Sequence, residues 1–315
     1  MIMDVATITL TISMMGIIIL FGALVSWRKT VTPSSKKLVM SLVINIAVPF
    51  IILNGVFNTP ITDDVLQLIF LVFVISLGFN STAIVLSILI ARLLGFQPTT
   101  AKKLSLLSAI GNTGFIAIPL CAAVFGPIGG LLAAIFDAGL DVVLFTLGVA
   151  ILQSGHQRFT MKSLTALINM PLIAIGVGLT FAVSGLQAPL LLQELSAMLA
   201  GLAAPLAMLY IGLLLPPFFK EQKTFFYRSI GFPLTMRLLI FPMTTILIVG
   251  FLPIDLFLKQ FLVIVTAMPT FLVAPVIYGS YTDFEDEAAI TTISSTLLSL
   301  LTIPLVSSFA SFWFT

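Results

Sequence analysis

Charge is what this chain has least of. Of its 315 residues only 14 are Lys or Arg and 12 are Asp or Glu, 8% together, against 59% hydrophobic residues and a mean hydropathy of +1.22. A soluble protein of this length needs a charged surface around its core, so this composition excludes one. The single cysteine, Cys121, rules out an internal disulfide and a multi-cysteine metal site. The single histidine, His156, rules out the paired histidines of zinc proteolysis. A net charge of +2 scattered over short loops makes no basic patch, so no nucleic acid is expected as partner. Neither a metal nor a cofactor is expected.

What the chain has instead is apolar runs. Ten are long enough to cross a bilayer, which takes roughly 20 residues: near 5–26, 38–57, 65–94, 104–126, 128–152, 164–184, 192–215, 229–251, 256–281 and 288–312. The N-terminal "MIMD" has no basic region and carries Asp4, so the first run reads as a retained anchor rather than a cleaved signal peptide.

Basic residues mark the cytoplasmic loops. Arg28, Lys29, Lys36 and Lys37 follow span 1, Arg92, Lys102 and Lys103 follow span 3, Arg158 and Lys162 follow span 5, and Lys220, Lys223 and Arg228 follow span 7. The alternate loops hold Asp63, Asp64, Glu194, Asp255 and only Lys259, which places both termini outside. The acidic "TDFEDE" at 282–287 suits the positive N-terminal end of span 10.

Shifting the chain by 156 residues superposes Pro33 on Pro189, Pro49 on Pro205, Pro60 on Pro216 and Pro119 on Pro275, and "FIAIPL" at 115–120 on "FLVAPV" at 271–276. The two copies are residues 1–156 and 157–315. Five spans per copy is an odd number, so the second copy enters the membrane inverted, as in many secondary transporters.

Two spans at matching positions of the repeat are interrupted. Span 4 carries Gly111, Asn112, Thr113, Gly114 and Pro119, and span 9 carries Pro269, Thr270 and Pro275. Broken backbone in lipid leaves unpaired N–H and C=O groups unless it faces protein or a wet cavity. Paired breaks therefore point to a midplane site, and free half-helix N-termini suit an anion. Pro49 of span 2 and Pro205 of span 7 are expected to face that site. Asp137 and Asp141, four residues apart on one face of span 5, suit proton exchange, a coupling cation, or pairing with Arg237 of span 8. Arg237 itself has two readings: snorkelling to the inner interface, or an ion pair or substrate contact. Asn45, Asn54 and Asn80 either line the pocket or bond between helices.

The string "GNTGFIAIPL" (111–120) resembles the fourth-span signature of the auxin efflux carrier family, which includes plant PIN proteins and bacterial malate and malonate carriers. "FDAGLDVVLFTLGVAIL" (136–152), "LAAPLAMLYIGLLL" (202–215), "RLLIFP" (237–242) and "ISSTLLSLLTIPL" (293–305) extend the likeness over the whole chain. Two departures are a short link between spans 5 and 6 and Gly111 where plant members tend to have proline. The resemblance implies alternating access, with spans 4 and 9 crossing near Pro119 and Pro275. It also implies a dimerising scaffold of spans 1, 2, 6 and 7, and a transport unit of spans 3–5 and 8–10.

The expected protein is thus an all-α polytopic membrane protein of ten transmembrane helices, two inverted five-helix repeats with crossed, broken helices 4 and 9. Its expected function is secondary transport of a small organic anion across the cell membrane, as a homodimer, with a proton or sodium as coupling ion. A sodium-coupled carrier like the bile-acid symporters and a channel are the alternatives. Intramembrane catalysis finds no support, since there is no G-x-S-G motif and the two aspartates share one helix.

Overall fold

The computed structural model describes residues 5–28, 31–153, 169–221 and 228–314. Asp4, Lys29, His156, Arg158, Lys162 and Lys223 lie outside them, as does the repeat boundary at 156–157.

The described residues are helical, with no strand. In chain order the helices are α1 Val5–Arg28, α2 Pro33–Phe57, α3 Asp63–Leu93, α4 Pro98–Ala109, α5 Thr113–Phe125, α6 Pro127–Leu152, α7 Met170–Val183, α8 Leu190–Pro216, α9 Gly231–Phe251, α10 Leu256–Thr266, α11 Ala274–Tyr281 and α12 Glu285–Phe314. Seven helices, α1, α2, α3, α6, α8, α9 and α12, are long and apolar enough to cross a membrane. The shorter apolar helices α5, α7 and α10 fall where the sequence places spans 4, 6 and 9.

Local chemistry sets the helix ends. Thr32 caps α2 by accepting from the Ser35 amide at 3.2 Å, with Pro33 in the first turn, where its missing N–H costs nothing. Asp63 and Asp64 open α3, and Glu285, Asp286 and Glu287 open α12, at the positive ends of their helix dipoles. Within α2, α5 and α9, turns widened to five-residue hydrogen bonding cover Val43–Ala47, Thr113–Ala117 and Met236–Ile240. Each ends two residues before a proline, Pro49, Pro119 and Pro242. A proline ring collides with the carbonyl four residues back, and the wide turn gives that carbonyl room.

Polarity runs inside out. Large apolar side chains such as Leu20, Phe70, Val177 and Leu301 face outward, while Ser76, Asn80, Thr291 and Ser295 are buried. Such a surface is stable against lipid and not against water. Helices α1 and α8 approach backbone to backbone, because a Cβ on Gly22 would come within 3.0 Å of the Gly212 Cα. Helix α2 packs on α7 and α8, while α3 packs on α4 and α6, and α11 packs on α12.

Candidate functional site

The two interrupted spans meet at the centre of the molecule. Helix α4 stops at Ala109 and α5 starts at Thr113, while α10 stops at Thr266 and α11 starts at Ala274. Between them Gly111 and Thr270 form an antiparallel bridge. The Asn112 amide donates to the Pro269 carbonyl at 2.7 Å, and the Phe271 amide to the Ile110 carbonyl at 3.3 Å. Four backbone groups freed by the breaks thereby pair with each other. The sequence places this meeting near Pro119 and Pro275. Here the structure differs: both prolines lie beyond it, in the first turn of α-helical segments, where proline is tolerated. The extended links themselves are made by Ile110, Gly111 and Asn112 and by Pro269, Thr270 and Phe271. Helix α12 supports them, since Ser295 Oγ accepts from the Thr270 amide at 3.1 Å and Thr292 Oγ1 donates to the Phe271 carbonyl at 3.3 Å. Thr270 Oγ1 in turn donates to the Leu107 carbonyl at 2.9 Å.

Beside the links is a cavity of about 240 Å³, lined by residues 111–115, by 271–273, by Val43, Ile44 and Val48 of α2, and by one face of α6 with Asn169 and Pro171. Its polar groups are few. Asn112 is 2% exposed and caps α5, its Oδ1 accepting from the Phe115 amide at 3.3 Å. Its Nδ2 has no partner among the described residues. A buried amide donor left unsatisfied costs about 1–3 kcal/mol, so it marks a place where a ligand or water belongs. Thr113 Oγ1 donates to Asp137 Oδ1. Asn169 Nδ2 donates to Asp141 Oδ2 at 3.2 Å, while its Oδ1 caps α7 through the Leu172 amide at 2.9 Å. Both aspartates are half-buried on the cavity face of α6. Among the described residues no lysine, arginine or histidine lines the cavity. No group of three or more His, Cys, Asp or Glu able to hold a metal occurs among the described residues.

Arg237 lies behind the links rather than in the cavity. It is 1% exposed, and its Nε donates to the Met268 carbonyl at 2.6 Å and its Nη1 to the Ala109 carbonyl at 2.8 Å. Snorkelling and an aspartate pair, the expectations from sequence, both give way to this contact with backbone carbonyls. Gly111 makes room for it, since a Cβ there would collide with the guanidinium.

Other expected site residues sit apart from the cavity lining. Pro49 is buried in α2 while its neighbour Val48 lines the cavity, and Pro205 is exposed on α8. Asn80 is buried between α3 and α6, donating to the Ser76 carbonyl at 2.8 Å, while Ser76 Oγ donates to the Phe136 carbonyl. Asn45 donates to Ser41, and Asn54 accepts from Asn58, each within or at the end of its own helix. Asn169 is absent from the sequence reading, although an asparagine two residues before Pro171 is a helix-start signal. Ser295 lies in the 293–305 stretch of the resemblance, but nothing in that stretch marks it as a contact to the second link.

A helical bundle with an inside-out polarity and a broken-helix cavity at its centre defines a polytopic membrane protein built around an internal binding site. Residues 7–307 match the model of the family described as membrane transport protein, and the chain belongs to that family. It is also similar to an uncharacterized transporter of Methanothermobacter thermautotrophicus, 25% identical over 301 residues that span 95% of this chain and 97% of the relative. The protein is therefore a multi-pass membrane transporter.

Proposed function

We propose that this transporter is a secondary carrier that moves a small organic anion, a mono- or dicarboxylate of malate or malonate size, across the cell membrane by alternating access. The observation that carries the reading is the unpartnered Nδ2 of Asn112 at the N-terminus of α5, on a residue that lines a cavity whose other walls are largely apolar. A carboxylate there would accept from Nδ2 and meet the positive end of the helix, while its carbon skeleton would contact Val43, Val48 and Phe115.

Asp137 and Asp141 bring the coupling. At about 8 Å and an effective dielectric near 20, an ionised aspartate repels a carboxylate by about 2 kcal/mol, roughly thirtyfold in affinity. Protonation of the pair removes that repulsion, so anion and proton favour each other's binding by reciprocity. The proton is the coupling ion in this reading. A sodium-coupled carrier is the second reading, supported by a separate observation: two carboxylates and the Thr113 hydroxyl offer oxygens to a cation, and no described lysine, arginine or histidine lines the cavity.

Ten crossings in two inverted repeats, residues 1–156 and 157–315, complete the proposal, with both termini outside. The proline register and the two opposed half-helix pairs support it. Scaffold spans 1, 2, 6 and 7 correspond to α1, α2, α7 and α8, which pack on one another, and a homodimer through them is part of the proposal. Spans 3–5 and 8–10 form the transport unit.

The test is uptake into proteoliposomes of labelled malate, malonate, pyruvate and an indole acid, with proton and sodium gradients imposed separately. Accumulation of a carboxylate driven by the proton gradient is expected. Transport of none of the four, or of cations only, sinks the anion reading.

A further inference from the structure

The carrier reading leaves Arg237 without a task. It does not line the cavity, and the one salt bridge among the described residues, Lys103 with Asp283, does not involve it. A charged side chain within a spanning helix costs up to about 2.5–3.5 kcal/mol on insertion scales, so something must hold it there. What holds it is two helix ends. The carbonyls of the last turn of a helix have no intrahelical partner and together carry about half a negative charge. Helix α4 ends at Ala109, and α10 ends two residues before Met268. The Ala109 carbonyl is the last of α4 and the Met268 carbonyl lies just past the end of α10, so Arg237 sits where the two C-terminal ends converge. Two such ends amount to about one elementary negative charge, and one guanidinium balances it.

We infer that Arg237 is the resident cation of the crossing: it occupies the place where two convergent half-helix C-termini would otherwise collect a monovalent cation such as sodium, and so makes the crossing indifferent to sodium. The planar guanidinium suits this because its donors fork towards two acceptors at once. Gly111 is its matched partner, the position whose missing side chain lets Nη2 lie against the link. The two faces of the crossing are thereby divided. Carbonyl ends are neutralised permanently on the Arg237 side, while on the cavity side the α5 N-terminus takes the Asn112 cap and the Asp137 carboxylate. This deepens the carrier reading, since a coupling cation is left only the aspartates of α6.

The test measures thermal unfolding of the purified full-length protein in detergent, in sodium chloride, potassium chloride and choline chloride at equal ionic strength, with no substrate. Its outcome is thus independent of whether an organic anion is carried. The wild-type midpoint is expected to be the same in all three salts. Arg237→Ala is expected to be destabilised in choline and restored by about 2 °C by sodium or by millimolar methylguanidinium, the stabilisation a ligand at about ten times its dissociation constant supplies. Arg237→Lys keeps the charge and should show no sodium dependence. Arg237→Gln, which keeps amide donors without charge, serves where the alanine variant does not fold, and it too should gain sodium dependence. Equal loss of stability in every salt for the neutral variants, or sodium stabilisation of the wild type that persists when Asp137 and Asp141 are both replaced by Asn, overturns the inference.

Discussion

The Asn112 amide donates to the Pro269 carbonyl at 2.7 Å, although 157 residues separate the two along the chain. This bond and its neighbour from Phe271 to Ile110 make the two interrupted helices a single unit, so a change in one link is felt in the other. The side-chain Nδ2 of Asn112 is left without a partner among the described residues.

Gly111→Ala tests the fit of that unit. The new Cβ would collide with the guanidinium of Arg237, so Arg237 loses its carbonyl partners or the link shifts. A loss of about 2–4 kcal/mol is expected, the range for breaking a buried charged hydrogen-bond network, read as a lowered unfolding midpoint in detergent. In Gly111→Ala with Arg237→Ala the two losses should add to less than their sum. Strict additivity would mean that the two residues do not constrain each other.

Asn112 separates anion binding from folding. Asn112→Ala removes the α5 cap, worth about 1 kcal/mol, and the donor to substrate, so affinity for a carboxylate should fall at least about tenfold. Asn112→Asp keeps a capping oxygen but places a carboxylate in the site. It should retain the fold with a lowered unfolding midpoint, since a carboxylate is buried near Asp137, and lose carboxylate binding altogether. Titration calorimetry with malate or malonate checks affinity, and circular dichroism checks the fold. Normal binding by Asn112→Asp would move the substrate elsewhere.

Asp137 and Asp141 should differ in consequence. Asp137 is held by Thr113 at the start of α5, beside the proposed substrate, whereas Asp141 is tied to Asn169, which caps α7. Asp141→Asn is expected to lose proton-driven accumulation in proteoliposomes about tenfold or more while still binding substrate. Asn169→Ala should weaken coupling in the same direction by freeing Asp141. Unchanged proton-driven accumulation in Asp141→Asn would assign the carboxylate a structural role, and lost sodium dependence would select the sodium-coupled reading.

The pH response can be assigned by elimination. Asp283 lies outside the membrane-spanning helices, where the hydrogen bond from Lys103 holds its carboxyl below the usual carboxylate value of 3.8. A depressed folded value means that any stabilisation is complete above the unfolded value and is lost only as pH falls through the folded one. Between pH 5 and 8 this pair contributes no change. Asp283→Asn should therefore leave the pH profile of transport over that range superimposable on wild type. A shifted profile would place a working proton outside the membrane.

Orientation is open to direct labelling. In a Cys121→Ala background, cysteines at Asp64 and Gln97, at opposite ends of α3, should react with an impermeant thiol reagent from opposite faces. The expected outer residue is Asp64. Reaction of both from one side is incompatible with α3 as a span and with the inverted repeat.

Sequence alone determined the properties that depend on composition and neighbours along the chain. Eight per cent charge and long apolar runs require lipid, the glycine and asparagine at 111–112 and the proline at 269 mark where two helices are interrupted, and a spacing of four puts Asp137 and Asp141 on one face. Tertiary structure alone decided what those features meet. The Arg237 guanidinium is set on a carbonyl 128 residues away, the links pair at Gly111 and Thr270, and Asn169 is brought to Asp141 while Pro205 is left exposed. The physical reason is that a helix end or a buried charge specifies only the kind of partner it needs. Carbonyls that need a donor and a cation that needs acceptors are both legible in one dimension, but which of them meet is settled by how the helices pack.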